Sequence, residues 1–238
     1  MVEKEPPRSV LVIYSMTAQK KGSVTMANRP VFSASERAHL VDVFPVEFVW
    51  NKGLAPSQKQ KNIVAIHDGF KRRFPEKNIL EISSKSLNPL GVKLSAFNLK
   101  KFVPSVGKYV SVECIYQGAK VFAAGGPFAD LYLGTSRAAK GDSRLKSSGA
   151  LRGFSFEGKT YPLTPVTAFY DWLYITALME NKELADELLQ YDSFTDIAFS
   201  PEKSKTCQAR AAACFVALHR KGLLECVNDF EQFVKIAY

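Results

Sequence analysis

Apolar and polar positions change period several times along the chain, and each change marks an element. Residues 41–50, VDVFPVEFVW, alternate apolar and polar positions and are β-branched and aromatic. This predicts a strand pair, or one strand bent around Pro45. From Gln58 to Phe74 the period is helical, with Ile63, Ile66 and Phe70 on the inward face and Ser57 at the N-cap position. NILEISSK (78–85) predicts a short strand and NPLG (88–91) a turn; VKLSAFNL and KKFVPSVGKYV read as short extended pieces. SVECIYQGAKVF (111–122) predicts an amphipathic helix, stopped by GGP at 125–127. Small helical pieces follow over 128–149, then a hairpin-like insert, FSFEGKTYPL, turning at EGK. Residues 164–191 form the clearest helical region, capped by Thr164 or Thr167. Leu173, Ile175, Leu178, Leu184 and Leu188 supply its core face, and Asn181 marks a break. An Ala-rich helix, CQARAAACFVALHRKGLL, ends at Gly222, and DFEQFVKI is a short last helix.

Helices mixed with short strands, without βαβ alternation, predict an α+β fold: a helix-rich single domain. The compact part is expected over residues 29–238, with residues 1–28 as a flexible N-terminal extension. Both Met1 and Met26 remain open as translation starts.

Composition narrows the function classes. With 46% hydrophobic and 12% aromatic residues, the chain can build a real core. A net charge of +9 favours an anionic partner, nucleic acid or nucleotide. The basic residues gather on the first helix (Lys59, Lys61, Lys71, Arg72, Arg73) and over 137–146 (Arg137, Lys140, Arg144, Lys146). Cys114, Cys207, Cys214 and Cys226 make no CxxC pair, and His39, His67 and His219 have no ligand spacing. That argues against a zinc site or a disulfide framework and fits reduced thiols in the cytoplasm. No apolar run reaches membrane-spanning length, so no membrane partner is expected.

Dinucleotide fingerprints, phosphate loops, nucleophile elbows and metal motifs are all missing from the sequence. What stands out is a stripe: Glu113, Gln117 and Lys120 fall at i, i+4 and i+7, on one side of the expected helix. Lys85 follows a strand, and aspartates stand at 142, 171, 192 and 196.

Two stretches carry a family resemblance. ILEISSKSLNPLGVKLSAFNL is similar to the opening of the NADAR (YbiA-like) superfamily, where a strand leads through a Lys-containing loop and a glycine to a Ser-Asn-Phe segment. SVECIYQGAK resembles that superfamily's helix with its Val-Glu-His, Tyr-Gln and Lys elements. The likeness covers about residues 78–220, since WLYITALMENKELADELL and residues 204–218 resemble its last two helices. WNKGLAPSQKQKNI, LEISSKS, GGPFADLY, FYDWLYI and YDSFTDI extend it over residues 28–225. These phrases resemble the NADAR antitoxins associated with DarT-type DNA ADP-ribosyltransferase toxins, DarG-like in role.

The resemblance implies a YbiA/NADAR-like fold and a hydrolase that releases ADP-ribose from guanine in DNA. It implies ADP-ribosylated DNA and a cognate DarT-type toxin as partners, and no cofactor. Lys85 matches the loop lysine and is expected to capture the opened sugar as a Schiff base. Glu113 matches the helix acid and is expected to move protons. Gln117, Ser84, Gly91, Ser95, Phe97, Trp172, Asp196 and Asp142 are the expected substrate-binding set. Three departures stand against the wider superfamily: Ala96 replaces an asparagine, Cys114 replaces a histidine, and the late Asp-x-x-Trp-Gly element is missing after FSP. Asp142 and Asp196 are the candidates to replace the lost acid. Two other readings stay open: an N-glycosidase of a free phosphorylated metabolite, and a non-catalytic module that binds ADP-ribose or neutralises the toxin.

Overall fold

The computed structural model describes residues 20–21, 24–202 and 204–238. Most of the expected N-terminal extension lies outside the described residues, while Val24–Asn28 belong to a long strand. In chain order the elements begin with β1 (Lys20–Lys21), β2 (Val24–Ala34), β3 (Val41–Val49), α1 (Pro56–Lys71), β4 (Ile79–Glu81) and α2 (Pro89–Lys93). Next come β5 (Lys100–Val103), β6 (Lys108–Ser111), α3 (Val112–Gly118), β7 (Lys120–Phe122), α4 (Ser136–Gly141) and α5 (Arg144–Ser147). The chain closes with β8 (Leu151–Phe156), β9 (Lys159–Tyr161), α6 (Ala168–Met179), α7 (Lys182–Leu188), β10 (Ser193–Thr195), α8 (Gln208–Arg220) and α9 (Phe230–Ala237). The fold is α+β, as expected.

β2 is the spine of the main sheet. It pairs antiparallel with β3 on one edge and with β10 on the other; β10 runs parallel to β4. β3 is one continuous strand rather than a pair. Pro45 stands opposite Pro30, so the two missing N–H donors share one rung of the ladder. Side chains alternate across this sheet. Ala27, Val31, Val46 and Phe48 pack on one face against Ile63, Ile66 and Phe70 of α1. Phe32, Ala34, Leu80 and Phe194 face the other way, into the larger core with α8 and α6.

Several boundaries differ from the expected ones. α1 starts at Pro56 with Ala55 at the N-cap and no side-chain cap bond, so the helix-compatible proline, not Ser57, opens it. NPLG starts a helix: Asn88 Oδ1 accepts the Leu90 N–H at 2.9 Å and caps α2. Thr167 stands at the N-cap of α6 but donates its hydroxyl to Asp171 instead. α3 stops at Gly118, four residues short, because the chain beyond it zips onto β8. Asn181 does separate α6 from α7, donating to the Ala177 and Lys100 carbonyls. No helix among the described residues is long and apolar enough to cross a membrane.

Candidate active site

α3 begins where Ser111 Oγ accepts the Cys114 N–H at 3.3 Å. Val112, Cys114 and Ile115 anchor it in the core, which leaves Glu113 and Gln117 together on the opposite side. The helix cannot drift outward at its end. A side chain at Gly118 would strike the Tyr132 ring and the Phe128 carbonyl. Lys120 then sits on β7, opposite Phe154 of β8, yet its side chain folds back along the helix. Its ammonium donates to Gln117 Oε1 at 2.7 Å, and Gln117 Nε2 donates to Glu113 Oε1 at 2.9 Å. Lys140 of α4 stands 3.5 Å from the same Glu113 oxygen. A helix and a strand thus build the row that helical spacing alone suggested.

The row forms one wall of a cavity of about 930 Å³, at the upper end of the range for small-molecule sites. Aromatic rings make much of the rest: Phe97, Tyr116, Phe154, Tyr170 and Phe199. Polar groups enter from three directions. Ser83 and Ser84 follow β4, Asp196 follows β10, and Gln208 opens α8. Lys140 and Lys205 add positive charge to the lining.

Burial sets the protonation states. It lowers the Lys120 ammonium to about 8; Glu113 opposes that change and Lys140 reinforces it. The Tyr116 ring lies 4.7 Å from the Lys120 nitrogen, and burial pushes its phenol up to about 12. Asp196 is pushed up to about 7 by burial and by the charge of Glu81. Bonds from the Ala198 N–H at 2.9 Å and Gln208 Nε2 at 3.1 Å only partly offset this.

A family model describing DarT1-associated NADAR antitoxins matches residues 27–238. The chain belongs to that family. No curated protein matches it.

Six of the ten site residues expected for this NADAR antitoxin line the cavity together: Glu113, Gln117, Ser84, Ser95, Phe97 and Asp196. Four do not. Lys85 is not in the lining; its backbone N–H is held by Ser83 Oγ at 3.2 Å. Gly91 packs α2 against β4, where any side chain would collide with the Glu81 carbonyl and the Ser86 hydroxyl. Trp172 donates to the Val227 carbonyl at 2.9 Å and stacks among Tyr161 and Phe230, in the core. Asp142 clamps Arg144 at 2.9 Å, outside the lining.

The structure also brings in residues the sequence left unassigned. Tyr170 and Phe199 had no signal beyond being aromatic. Gln208 did not stand out in the Ala-rich helix, yet it ties three segments together. Its Oε1 accepts the Ala96 N–H at 2.6 Å, and its Nε2 donates to the Ile82 carbonyl and to Asp196. Ala96 therefore contributes a backbone bond where the wider superfamily has an asparagine. Cys114 is buried, with its thiol 3.6 Å from the Gly134 carbonyl, and does not line the cavity.

Proposed function

We propose that this antitoxin is a DNA ADP-ribosyl-guanine hydrolase, cleaving the N-glycosidic bond between ADP-ribose and the base. The observation that carries this reading is the hydrogen-bonded row Lys120–Gln117–Glu113 on the wall of a nucleotide-sized aromatic cavity. It moves the amine role from Lys85 to Lys120, because of these two Lys120 alone is in the lining, and it is the lysine bonded into the row. With its ammonium near 8, about one Lys120 in ten is a neutral amine at pH 7.

Each step follows from that placement. The neutral Lys120 amine adds at the anomeric carbon as the carbon–nitrogen bond to guanine breaks. A proton passes through Glu113 to the departing guanine nitrogen. The ribose ring opens as a proton passes from the lysine nitrogen to the ring oxygen, leaving a protonated imine on Lys120, and water adds to that imine. Expulsion of the amine frees ADP-ribose and restores the lysine; Glu113 carries the proton from the water. Gln117 bridges the two groups, so it orients both. The aromatic walls suit adenine and guanine faces, and Lys140 and Lys205 suit the diphosphate. A base must leave the duplex to reach such a depth, so single-stranded or flipped substrate is expected.

The test is borohydride trapping with ADP-ribosylated DNA, read by peptide mass mapping. An ADP-ribose adduct on Lys120 is expected, together with a 10²–10⁴-fold slower release by Glu113→Gln. Release without any adduct would leave direct water attack as the route. Failure to release ADP-ribose would overturn the hydrolase reading. Equal rates on free ADP-ribosyl-guanosine would favour a metabolite as substrate.

A further inference from the structure

Directly behind the cavity lies a second carboxyl group that the reaction above does not use. Glu81 is 2% exposed, in the strand β4, and Thr195 is its register partner on β10. Glu81 Oε2 accepts the Thr195 hydroxyl at 2.6 Å, and Oε1 accepts the Ile197 N–H at 2.8 Å. The two residues that bind Glu81 therefore flank Asp196 in sequence. Thr195 meets α1, and Ile197 packs in the α1-side core; Asp196 between them lines the cavity. Glu81 holds the chain on both sides of Asp196, by a side-chain hydroxyl before it and a backbone N–H after it.

Every group that meets the Glu81 oxygens is a donor. Thr195 gives its only hydroxyl proton to Glu81, so its oxygen accepts from His67 Nε2, 2.9 Å away. That fixes the ring as the Nε2–H form, and burial lowers the imidazole to about 4, so it stays neutral. The Ser83 hydroxyl adds a further bond. Burial pushes the Glu81 carboxyl up, and the bonds it accepts from the Ile197 N–H and the Ser83 and Thr195 hydroxyls oppose that rise. Asp196 has fewer donors and an open side toward the cavity.

We infer that Glu81 is a positioning residue that keeps Asp196 as the proton-holding carboxyl of this site, available to the substrate as a second acid. Glu81 holds the charge and Asp196 holds the proton, as like charges in one buried place demand. Asp196 then stands in the role of the acid lost after FSP. The other charged or titratable groups facing Asp196 are Lys140 from α4, Arg29 from β2, Tyr170 and Tyr174 from α6, and Cys207 before α8. Glu81 is the main cause, after burial, of the raised Asp196 carboxyl.

The acid role rests on the hydrolase reading, but the proton assignment is tested without substrate. Infrared titration follows the protonated-carboxyl band of the whole chain, and the band missing from Asp196→Asn belongs to Asp196. A midpoint near neutral pH is expected in the wild type. Glu81→Gln should lower it by about one unit or more. Thr195→Val is the second variant should Glu81→Gln fail to fold: a weakened Glu81 carboxylate draws the proton and also lowers the Asp196 midpoint. A midpoint unmoved in the folded variants, or an Asp196 band already ionised at pH 5, overturns the inference. In single-turnover release, Glu81→Gln should shift the alkaline limb of the pH profile by the same amount, whereas a merely structural role would lower the rate at every pH. Substrate binding that is intact in Glu81→Gln, with no limb shift, overturns the acid role while leaving the hydrolase reading standing.

Discussion

The two faces of the main sheet hold the same kinds of side chain and use them differently. On the α1 side, Phe44, Phe70 and Phe74 pack ring to ring, and the basic residues Lys61, Lys71, Arg72 and Arg73 point to solvent. On the other side, aromatic rings line an open cavity, and two lysines and a carboxylate converge within hydrogen-bonding or ion-pair reach. Aromatic content and positive charge do not by themselves mark a site. What marks it is a space left beyond the ends of β4 and β10, where polar groups from several elements meet each other instead of bulk water.

Lysines give the sharpest way to break that comparison. Lys120→Met should slow ADP-ribose release by about 10³-fold or more, since it removes the attacking amine. Lys85→Met should stay within about threefold, because its side chain is outside the lining. Single-turnover rates on ADP-ribosylated DNA check both. The reverse ranking would restore the loop lysine and discard the cavity row as the reaction centre.

Core substitution probes the opposite face. Phe70 of α1 is fully buried beneath the rings of Phe44 and Phe74. Phe70→Ala should destabilise the fold by about 3–5 kcal/mol by denaturant unfolding. The release rate per folded molecule should not change. A large loss of rate at full folding would mean that the α1 layer does more than support the sheet.

How much of this was legible in the sequence follows from what each signal measures. Periodicity found α1, which buries one face over about four turns, while α6 and α8 are buried on nearly every side and showed as long apolar and Ala-rich runs. It overran α3, since the strand pairing that ends the helix is made with residues about thirty positions away. The Glu113–Gln117 pair was readable because helical geometry is local. Lys120 was on the same stripe, but its return to Gln117 depends on a bend at Ala119 that spacing cannot report. Trp172, expected in the substrate-binding set, lies outside the lining: a carbonyl partner on the 3₁₀ turn before α9 holds its partly buried indole against the core. Glu81 gave no signal at all: its partners lie more than a hundred positions ahead.

Surface charge separates the faces more gently. Arg137 and Lys146 lie exposed on α4 and α5, beside the cavity; Lys61 and Lys71 lie exposed on α1, across the sheet. Arg137→Ala with Lys146→Ala should weaken DNA binding about tenfold at low salt and flatten its salt dependence by up to about 0.9 per lost phosphate contact. Lys61→Ala with Lys71→Ala should change neither. Fluorescence anisotropy across a salt series reads both pairs. Equal effects would make the α1 helix part of the polynucleotide path.

The smallest effect is one of stability, and it divides two neighbouring residues. Thr195 serves the α1 side and Asp196 the cavity side, and only Asp196 gives up stability for its place. Its carboxyl is raised to about 7 from an ordinary carboxylate value near 4. Between those limits the native state keeps a proton that the unfolded chain has released. Stability therefore falls as pH rises from about 4 to about 7, and the loss is complete above that window. Asp196→Asn removes this dependence. It should become more stable relative to wild type as pH rises from about 4, with the gain complete a little above pH 7. His67 also titrates differently in the fold, but it is present in both chains and cancels in the difference. Paired melting curves at pH 4.5 and pH 8 decide it. A difference that is the same at both would mean that Asp196 is ionised throughout, and that Glu81 does not hold a proton on it.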